Sequence, residues 1–222
     1  MRLDLHNHTW YSPDSRVDPA DLVRRSRSLG LDGIAITDHN SIAGVRKATE
    51  AAAGLPGFLV IPAMEISTAE GHVLAFGVSH PIPRDLSPSE TAERIAADGG
   101  VAVAAHPYRF WSGLGERPTL SAKFAAYEVR NARTSRAANE RAGRLAAGQN
   151  VGRTGGSDSH FLQEHGRAFT SIDAGPSSLG TVLEAIASGR TRAEGADRRP
   201  KETAVYVTKC ISEWVLRGMR RI

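Results

Sequence analysis

The 222-residue sequence contains a single cysteine, Cys210, which excludes an internal disulfide and a zinc cluster built from cysteines. It has no apolar run long enough to span a membrane, and its first residues lack the charged, apolar and cleavage regions of a secretory signal. The length suits one domain with a sizeable hydrophobic core. We therefore expect a cytoplasmic protein that does not associate with a membrane.

Most of the chain also lacks an excess of charge of either sign. From Gly189 to the end there are nine Lys and Arg against four Asp and Glu, a net charge of +5, whereas the whole chain carries +4. Residues 1–188 are therefore close to neutral. A protein that grips long nucleic acid has a basic face on its body, and this sequence does not predict one.

The first strand carries the clearest chemical signal. Leu3 and Leu5 alternate with Asp4, His6 and His8, so a strand here points apolar side chains to one face and polar ones to the other. Two histidines at i and i+2 on one face can chelate a metal ion, and neutral imidazole is a common metal ligand. The pattern alone is not specific, because a buried, hydrogen-bonded histidine is the simpler interpretation of each one taken singly.

Strands and helices alternate along the rest of the chain. This order predicts parallel βαβ units and an α/β barrel, in which functional side chains gather at the carboxyl ends of the strands. Six of the eight histidines lie at ends of predicted strands. The predicted strands cover residues 3–9, 33–39, 58–65, 72–78, 101–107, 126–131 and 153–160, with an eighth at 169–172, and a loop covers 108–121.

The last part of the chain differs from the rest. We expect residues 1–188 to form the barrel domain and residues 189–222 to form a basic linker and a C-terminal amphipathic helix. This helix either packs on the barrel or joins two copies of it. Binding to RNA or a membrane surface is the less favoured interpretation, because Glu202 and Glu213 interrupt the few basic residues. The apolar residues at helical spacing are Val207, Ile211, Trp214, Val215 and Ile222.

Eight short stretches carry most of the polar residues at the strand ends. They are Asp4-Leu5-His6-Asn7-His8-Thr9, Ser12-Pro13-Asp14, Thr37-Asp38-His39-Asn40, Glu65-Ile66-Ser67, Gly71-His72-Val73-Leu74, Ala105-His106-Pro107, Glu128-Val129-Arg130-Asn131 and Gly156-Ser157-Asp158-Ser159-His160. In this order the set closely resembles the PHP (polymerase and histidinol phosphatase) family, and it spans residues 1 to about 170. The set is specific, although no single stretch is.

The resemblance implies a distorted (β/α)7, TIM-like barrel with two or three divalent ions at the carboxyl ends of its strands. No ligand that the family leads us to expect is missing from this sequence. Imidazole and carboxylate ligands together suit Mn²⁺, Fe²⁺ or Zn²⁺ without choosing among them. Carried over residue by residue, the first ion takes His6, His8, Glu65 and Asp158, the second takes Glu65, His72 and His106, and the third takes Asp14, His39 and His160.

The resemblance also implies a metal-dependent phosphoric ester hydrolase. In such an enzyme a metal-bridging hydroxide attacks phosphorus while the ions neutralise the charge on the phosphoryl oxygens. We expect Glu65, Asp158 and His160 to belong to the catalytic centre. Asp38 stands beside a ligand and is expected to orient an imidazole in the same centre.

Arginines and aromatic residues follow the fifth and sixth predicted strands. Arg109 and Arg133 are candidates for binding the phosphate, because a guanidinium group contacts phosphate through two parallel hydrogen bonds. For each of them a solvated surface arginine is an equally good interpretation. Tyr108, Phe110 and Trp111 could stack on a ring of the substrate or could close the mouth of the barrel.

Three functions agree with these expectations. The first is hydrolysis of a small phosphomonoester, either nucleotide-like or a sugar or amino-alcohol phosphate, and the near-neutral body favours it. The second is 5′-3′ exonuclease activity on short oligonucleotides. The third is a non-catalytic, metal-stabilised module that binds a partner through the tail, which the complete ligand set disfavours. The sequence does not determine the oligomeric state.

Overall fold

The computed structural model describes residues 1–173, 178–216 and 218–219. Strands and helices alternate along most of this length, and a short 3₁₀ helix lies at Leu162–Glu164. The strands are β1 (Arg2–Asp4), β2 (Gly33–Ile36), β3 (Leu59–Ser67), β4 (His72–Phe76), β5 (Val101–Ala104), β6 (Ala126–Asn131), β7 (Gly152–Gly156), β8 (Ala168–Ser171) and β9 (Arg192–Gly195). The helices are α1 (Pro19–Ser28), α2 (Ala43–Ala52), α3 (Pro88–Ala97), α4 (Glu116–Ser121), α5 (Arg136–Gln149), α6 (Leu179–Ala187) and α7 (Pro200–Leu216).

All of these strands belong to one sheet, in the order β7-β6-β5-β4-β3-β2-β1-β8-β9. Strands β1, β2 and β3 are parallel to one another, and so are β5, β6 and β7. Strand β4 is antiparallel to both of its neighbours. Strand β8 pairs antiparallel with β1, and β9 pairs antiparallel with β8. The predicted distorted (β/α)7 barrel is confirmed, with β1 to β7 as its seven strands.

The barrel closes where the chain leaving β1 meets the chain leaving β7. The His8 amide donates to the Ser159 carbonyl at 2.9 Å, and the Asp158 amide donates to the His6 carbonyl at 2.7 Å. Gly156 permits this approach, because a Cβ atom there would lie 2.4 Å from the His6 Cβ. The two histidines of the first strand therefore lie on this closure.

The reversed direction of β4 explains the position of its histidine. A short hairpin joins β3 to β4, and Ser67 at the end of β3 pairs with His72 at the start of β4. The first residue of β4 therefore lies at the end of the barrel where the parallel strands finish. A histidine at the start of this strand and a glutamate near the end of β3 face the same region.

Three groups of buried apolar residues hold the barrel and its helices together, and the largest packs α3 and α5 against β3 to β6. A second group joins strands from around the barrel with α6, and it includes Leu3, Phe76 and Val182. The third packs α1 and α2 against β2 and includes Leu22 and Ile34. All five side chains are at most 1% exposed, and burial of each contributes about 1.5–3 kcal/mol. This packing keeps the strand ends in fixed positions.

Two elements differ from the sequence-based prediction. Helix α4 lies within the segment that was predicted as a loop. Strand β9 lies within the segment that was assigned to the basic linker, and it pairs with β8 from Arg192 opposite Ser171 to Gly195 opposite Ala168. Three of the four residues of β9 are exposed, so it lacks the apolar alternation that indicates a strand. Residues 192–195 therefore belong to the sheet.

Helix α7 contacts the barrel through residues of its first half. Glu202 forms an ion pair with Arg167 at 3.1 Å, and Val207 lines a cavity. That the helix packs on the barrel along its length or joins two copies stays a prediction, and Ile222 lies outside the described residues. Neither α7 nor another helix of the described ranges is long and apolar enough to cross a bilayer. The exposed apolar residues of its second half are Ile211, Trp214, Val215 and Leu216.

Candidate metal centre

The nine predicted ligands meet at the end of the barrel where the parallel strands finish. They lie on β3 and β4 and in the segments that follow β1, β2, β5 and β7. None of the nine side chains is more than 16% exposed, so the cluster is shielded from solvent. The nine residues are His6, His8, Asp14, His39, Glu65, His72, His106, Asp158 and His160.

Glu65 lies at the centre of the cluster, and both of its carboxylate oxygens face imidazole nitrogens. Five rings from four different parts of the barrel surround this one buried side chain, which is 1% exposed. A carboxylate in this position can bridge two ions. Glu65 Oε2 lies 3.3 Å from His6 Nε2, 3.2 Å from His8 Nε2 and 3.4 Å from His39 Nδ1, and Oε1 lies 2.9 Å from His72 Nδ1 and 3.0 Å from His106 Nε2.

Asp158 is a second point on which the cluster converges. Its Oδ1 lies 3.4 Å from His8 Nε2, 3.8 Å from His6 Nε2 and 3.5 Å from His160 Nδ1. The backbone of Asp158 has a φ of 53°, and that of His106 has a φ of 28°. Residues other than glycine rarely adopt such angles, and strained backbone of this kind collects at functional sites.

Asp14 joins the cluster from the loop between β1 and α1. Its Oδ2 lies 2.7 Å from His160 Nε2 and 3.7 Å from His39 Nε2. Ligand atoms of these three residues belong to one group that lies within 4.8 Å. His39 also groups with Glu65 and His72, so it stands between the positions predicted for the second and third ions.

Several ligand atoms of the cluster are buried without a hydrogen-bond partner. Buried polar atoms in proteins nearly always have one, so a set of unpartnered ligand atoms facing the same region calls for another group. Imidazole nitrogens and carboxylate oxygens are the donors that divalent transition metals take. The residues present therefore fit divalent metal ions. The unpartnered atoms that face the cluster are His6 Nε2, His8 Nε2, His39 Nδ1 and Asp158 Oδ1.

Burial and neighbouring charges move the pKa values of the histidines in opposite directions. Burial alone would lower the pKa of His8, but Asp158 and Glu65 outweigh it and raise that pKa to about 9. Burial dominates at His39 and His106, whose pKa values fall to about 3 and about 4. A cation bound at His8 would therefore displace a proton at neutral pH.

Glu128 belongs to the site although no individual role was predicted for it. Its Oε1 lies 3.0 Å from His6 Nδ1, and its Oε2 accepts hydrogen bonds from the His106 amide and from Asn131 Nδ2, both at 3.0 Å. It holds the His6 ring with Nε2 directed into the cluster, as carboxylates beside metal-binding histidines do. A glutamate inside the apolar strand β6 was the signal that could have indicated this role.

We expect Glu128→Gln to weaken Mn²⁺ binding by about 10–100-fold, because the ring of His6 loses the charged acceptor that orients it. Titration calorimetry on the full chain measures this change. The matched control is Glu140→Gln on α5, where the side chain is 46% exposed and pairs with Arg136, and its Mn²⁺ affinity should equal that of the wild type. Equal affinities of the two variants would remove the orienting role from Glu128.

His165 is one of the two histidines that lie away from the predicted strand ends, yet it is buried and only 3% exposed. Its Nδ1 lies 2.7 Å from Asn7 Oδ1 and 3.2 Å from Asp4 Oδ2, and its Nε2 lies 2.7 Å from Ser26 Oγ. Asp4 also accepts a hydrogen bond from the Ser157 amide at 2.9 Å. This network ties β1 to α1 and β7, so it supports the strand that carries the first two ligands.

Asp38 is buried beside the cluster, but it makes different contacts from those predicted. Its Oδ1 accepts from the Thr9 amide at 2.6 Å, and its Oδ2 accepts from Thr9 Oγ1 at 2.7 Å. The prediction that Asp38 orients an imidazole does not match these contacts. They fix instead the backbone that follows His8, because Thr9 is the next residue.

Arg109 and Arg133 both reach the cluster and are each 9–10% exposed in their side chains, so neither is a solvated surface residue. Arg109 Nη2 pairs with the Asp158 carboxylate and donates to Asn131 Oδ1 at 2.9 Å. Arg133 Nη1 contacts His160 Nδ1 and lies 3.9 Å from Asp158 Oδ1. Two guanidinium groups therefore converge on the same carboxylate.

The residues of the site lie between positions 6 and 160, so they are spread over most of the chain. The model of the PHP domain matches residues 4–165. The chain belongs to the PHP domain family. The resemblance inferred from the eight stretches is confirmed, and the PHP family is a family of metal-dependent phosphoesterases.

Two curated relatives show the range of similarity within the PHP family. An uncharacterized protein of Methanocaldococcus jannaschii is 38% identical over an alignment of 130 residues that covers 53% of this chain and 74% of that protein. The 5′-3′ exoribonuclease Rnm of Salmonella typhimurium is 30% identical over an alignment of 159 residues that covers 57% of this chain and 54% of that enzyme. The chain thus spans about half the length of the exoribonuclease.

Solved structures share the fold of this PHP chain. A two-domain protein of Bacteroides vulgatus that contains a predicted PHP-like metal-dependent phosphoesterase superposes with a TM-score of 0.74 at 22% identity, over 95% of this chain and 70% of that one. The lesion-specific endonuclease Q of Pyrococcus furiosus superposes with a TM-score of 0.65 at 16% identity, over 86% of this chain and 57% of that one. At these identities the likeness concerns the fold.

Proposed function

We propose that this PHP-family protein hydrolyses small phosphomonoesters, nucleotides above all, at the candidate metal centre. The observation that carries the proposal is the convergence of the ligand cluster and two buried guanidinium groups on Asp158. Hydrolysis of a phosphate ester needs such a combination, because negative charge on the phosphoryl oxygens must be stabilised while a nucleophile is held in line.

In this proposal the nine residues of the cluster hold two or three divalent ions, with Glu65 shared between the first two. Mn²⁺, Fe²⁺ and Zn²⁺ all suit the mixture of imidazole and carboxylate donors. Bound ions of this kind make a water molecule nucleophilic near neutral pH and stabilise negative charge on a phosphate. Asp158 and His160 act as ligands beside the phosphate, and Asp38 acts through the backbone that it fixes.

Arg109 and Arg133 bind the phosphoryl group in this proposal. Arg109 is already positioned, because Asn131 Oδ1 accepts from its Nη2 at 2.9 Å and Thr134 Oγ1 accepts from its Nε at 3.3 Å. A guanidinium group that is held in place loses little conformational freedom when it binds a phosphate. A phosphate between the two arginines lies next to Asp158 and hence next to the ligand cluster.

Exonuclease activity on short oligonucleotides is the second candidate. It is favoured by the 5′-3′ exoribonucleases of Salmonella typhimurium and Haemophilus influenzae, which are 30% and 38% identical to this chain over the matched residues. Exposed aromatic side chains in the loops after β1, β5 and β7 also favour it, since bases stack on such side chains. These residues are Trp10, Tyr11, Phe110, Trp111 and Phe161.

Product release from two substrates distinguishes these functions, measured as inorganic phosphate from a monoester and as free nucleotide from an oligonucleotide. For the full chain supplied with Mn²⁺, we expect kcat/KM for adenosine monophosphate to exceed that for a short single-stranded oligonucleotide by at least about tenfold. A nuclease that depends on backbone contacts loses affinity steeply between about 50 and about 200 mM salt, because each neutralised phosphate releases counterions. Preference for the oligonucleotide with a steep salt dependence would establish the exonuclease instead. No release from either substrate would contradict both functions.

A further inference from the structure

A cavity of about 290 Å³ adjoins the metal centre at Arg109. Arg109 lines this cavity, and its guanidinium group also pairs with Asp158. The other walls come from the loops that follow β5 and β6 and from the segment that follows β9. The lining residues that matter here are Tyr108, Phe110, Trp111, Thr134, Arg198 and Val207.

The segment after β9 is attached to the loop that carries Arg133. The Arg198 amide donates to the Thr134 carbonyl at 3.0 Å, and Arg198 Nη1 donates to the Arg133 carbonyl at 3.1 Å. Ser135 and Arg198 also form a parallel bridge. The start of α7 follows directly, which places Val207 in the wall of the cavity. Part of this site therefore lies beyond residue 165, where the match to the family model ends.

The aromatic wall of the cavity is both fixed and accessible. The Tyr108 hydroxyl donates to Glu116 Oε2 at 2.9 Å, and the Arg141 guanidinium lies 4.0 Å from the centre of the Tyr108 ring. Phe110 and Trp111 pack edge to face with their centres 4.8 Å apart, yet they are 86% and 62% exposed. Large exposed aromatic side chains beside a cavity are typical of a surface that binds a ligand.

We infer that this cavity binds an aromatic ring carried by the phosphate ester, and that α7 selects for that ring through Val207. The inference rests on the proposed phosphoesterase function. An apolar cavity of about 150 Å³ holds one benzene ring, so a volume of about 290 Å³ has room for a bicyclic heteroaromatic group of purine size. Because Arg109 reaches both Asp158 and the cavity, a phosphate bound at Arg109 directs its ester group toward the aromatic wall.

Filling the cavity tests this inference. Val207→Trp should lower the ratio of kcat/KM for adenosine monophosphate to kcat/KM for glycerol phosphate, which carries no ring, by at least about tenfold. Val205→Trp is the matched control, because it makes the same change on the same helix at a side chain that is 71% exposed. In this control the ratio should equal that of the wild type. Trp111→Ala removes part of the aromatic wall at an exposed position and should lower the ratio in the same way.

The outcomes separate this inference from the proposed function. If the wild type hydrolyses both esters and neither Val207→Trp nor Trp111→Ala changes the ratio, the inference is overturned and the phosphoesterase function stands. If the wild type hydrolyses neither ester, the proposed function fails, and quenching of tryptophan fluorescence by adenosine monophosphate tests the cavity alone. Quenching that is lost in Trp111→Phe and weakened in Val207→Phe, which fills the cavity without adding a tryptophan, supports the cavity, and quenching that is equal in the wild type and both variants overturns it.

Discussion

Replacing Glu65 by Gln is expected to lower the rate of metal-dependent phosphate release by at least about 100-fold. A loss of this size is typical when an enzyme loses one group that stabilises charge in the transition state. Burial alone would raise the pKa of Glu65, but the imidazoles of His72, His6 and His39 outweigh it and hold that pKa well below its ordinary value. The side chain is therefore an anion at neutral pH. An amide of the same shape removes the negative charge that two ions would share.

Asp158→Asn is expected to have an effect of the same size. Burial would raise the pKa of Asp158, but Arg109 and His6 outweigh it and hold that pKa well below its ordinary value. Circular dichroism and thermal unfolding of each variant establish that the barrel is folded, because removing one partner from a buried set of charges is destabilising. Glu140→Gln is the control and should keep full activity. A folded variant within about tenfold of the wild type would show that its residue does not belong to the catalytic centre.

The barrel and the gathering of histidines and carboxylates at one end of it could be predicted because their signals are local in the sequence, whereas the assignment of these residues to particular ions came from the resemblance to the PHP family. Apolar runs that end in histidine or a carboxylate, such as the run before His106, indicate both a buried strand and the end of the barrel at which it finishes. His72 did not fit this rule, since it stands at the start of its strand. The resemblance to the PHP family placed it in the predicted ligand set, and the antiparallel direction of β4, which depends on pairing between strands, gives the physical reason for its position.

The residues that support the ligands could not be predicted individually, because their roles depend on contacts between distant parts of the chain. Glu128 is 122 residues from His6 in sequence, and His165 is 158 residues from Asn7. The glutamate inside the apolar strand β6 indicates a buried polar contact, but neither it nor the histidine in its loop shows which residue that contact is with. The exposed strand β9 was missed for a different reason, since a polar edge strand lacks the apolar alternation on which prediction depends.

The number of metal ions per chain tests the central claim most directly, because the proposed chemistry depends on ions held by the nine-residue cluster. The measurement is elemental analysis of the full chain, purified without chelator from cells supplied with Mn²⁺ and compared with Glu65→Gln prepared in the same way. We predict two or three transition-metal ions per wild-type chain and fewer in the variant, since Glu65 faces five of the imidazoles. Less than one ion per wild-type chain would contradict the account.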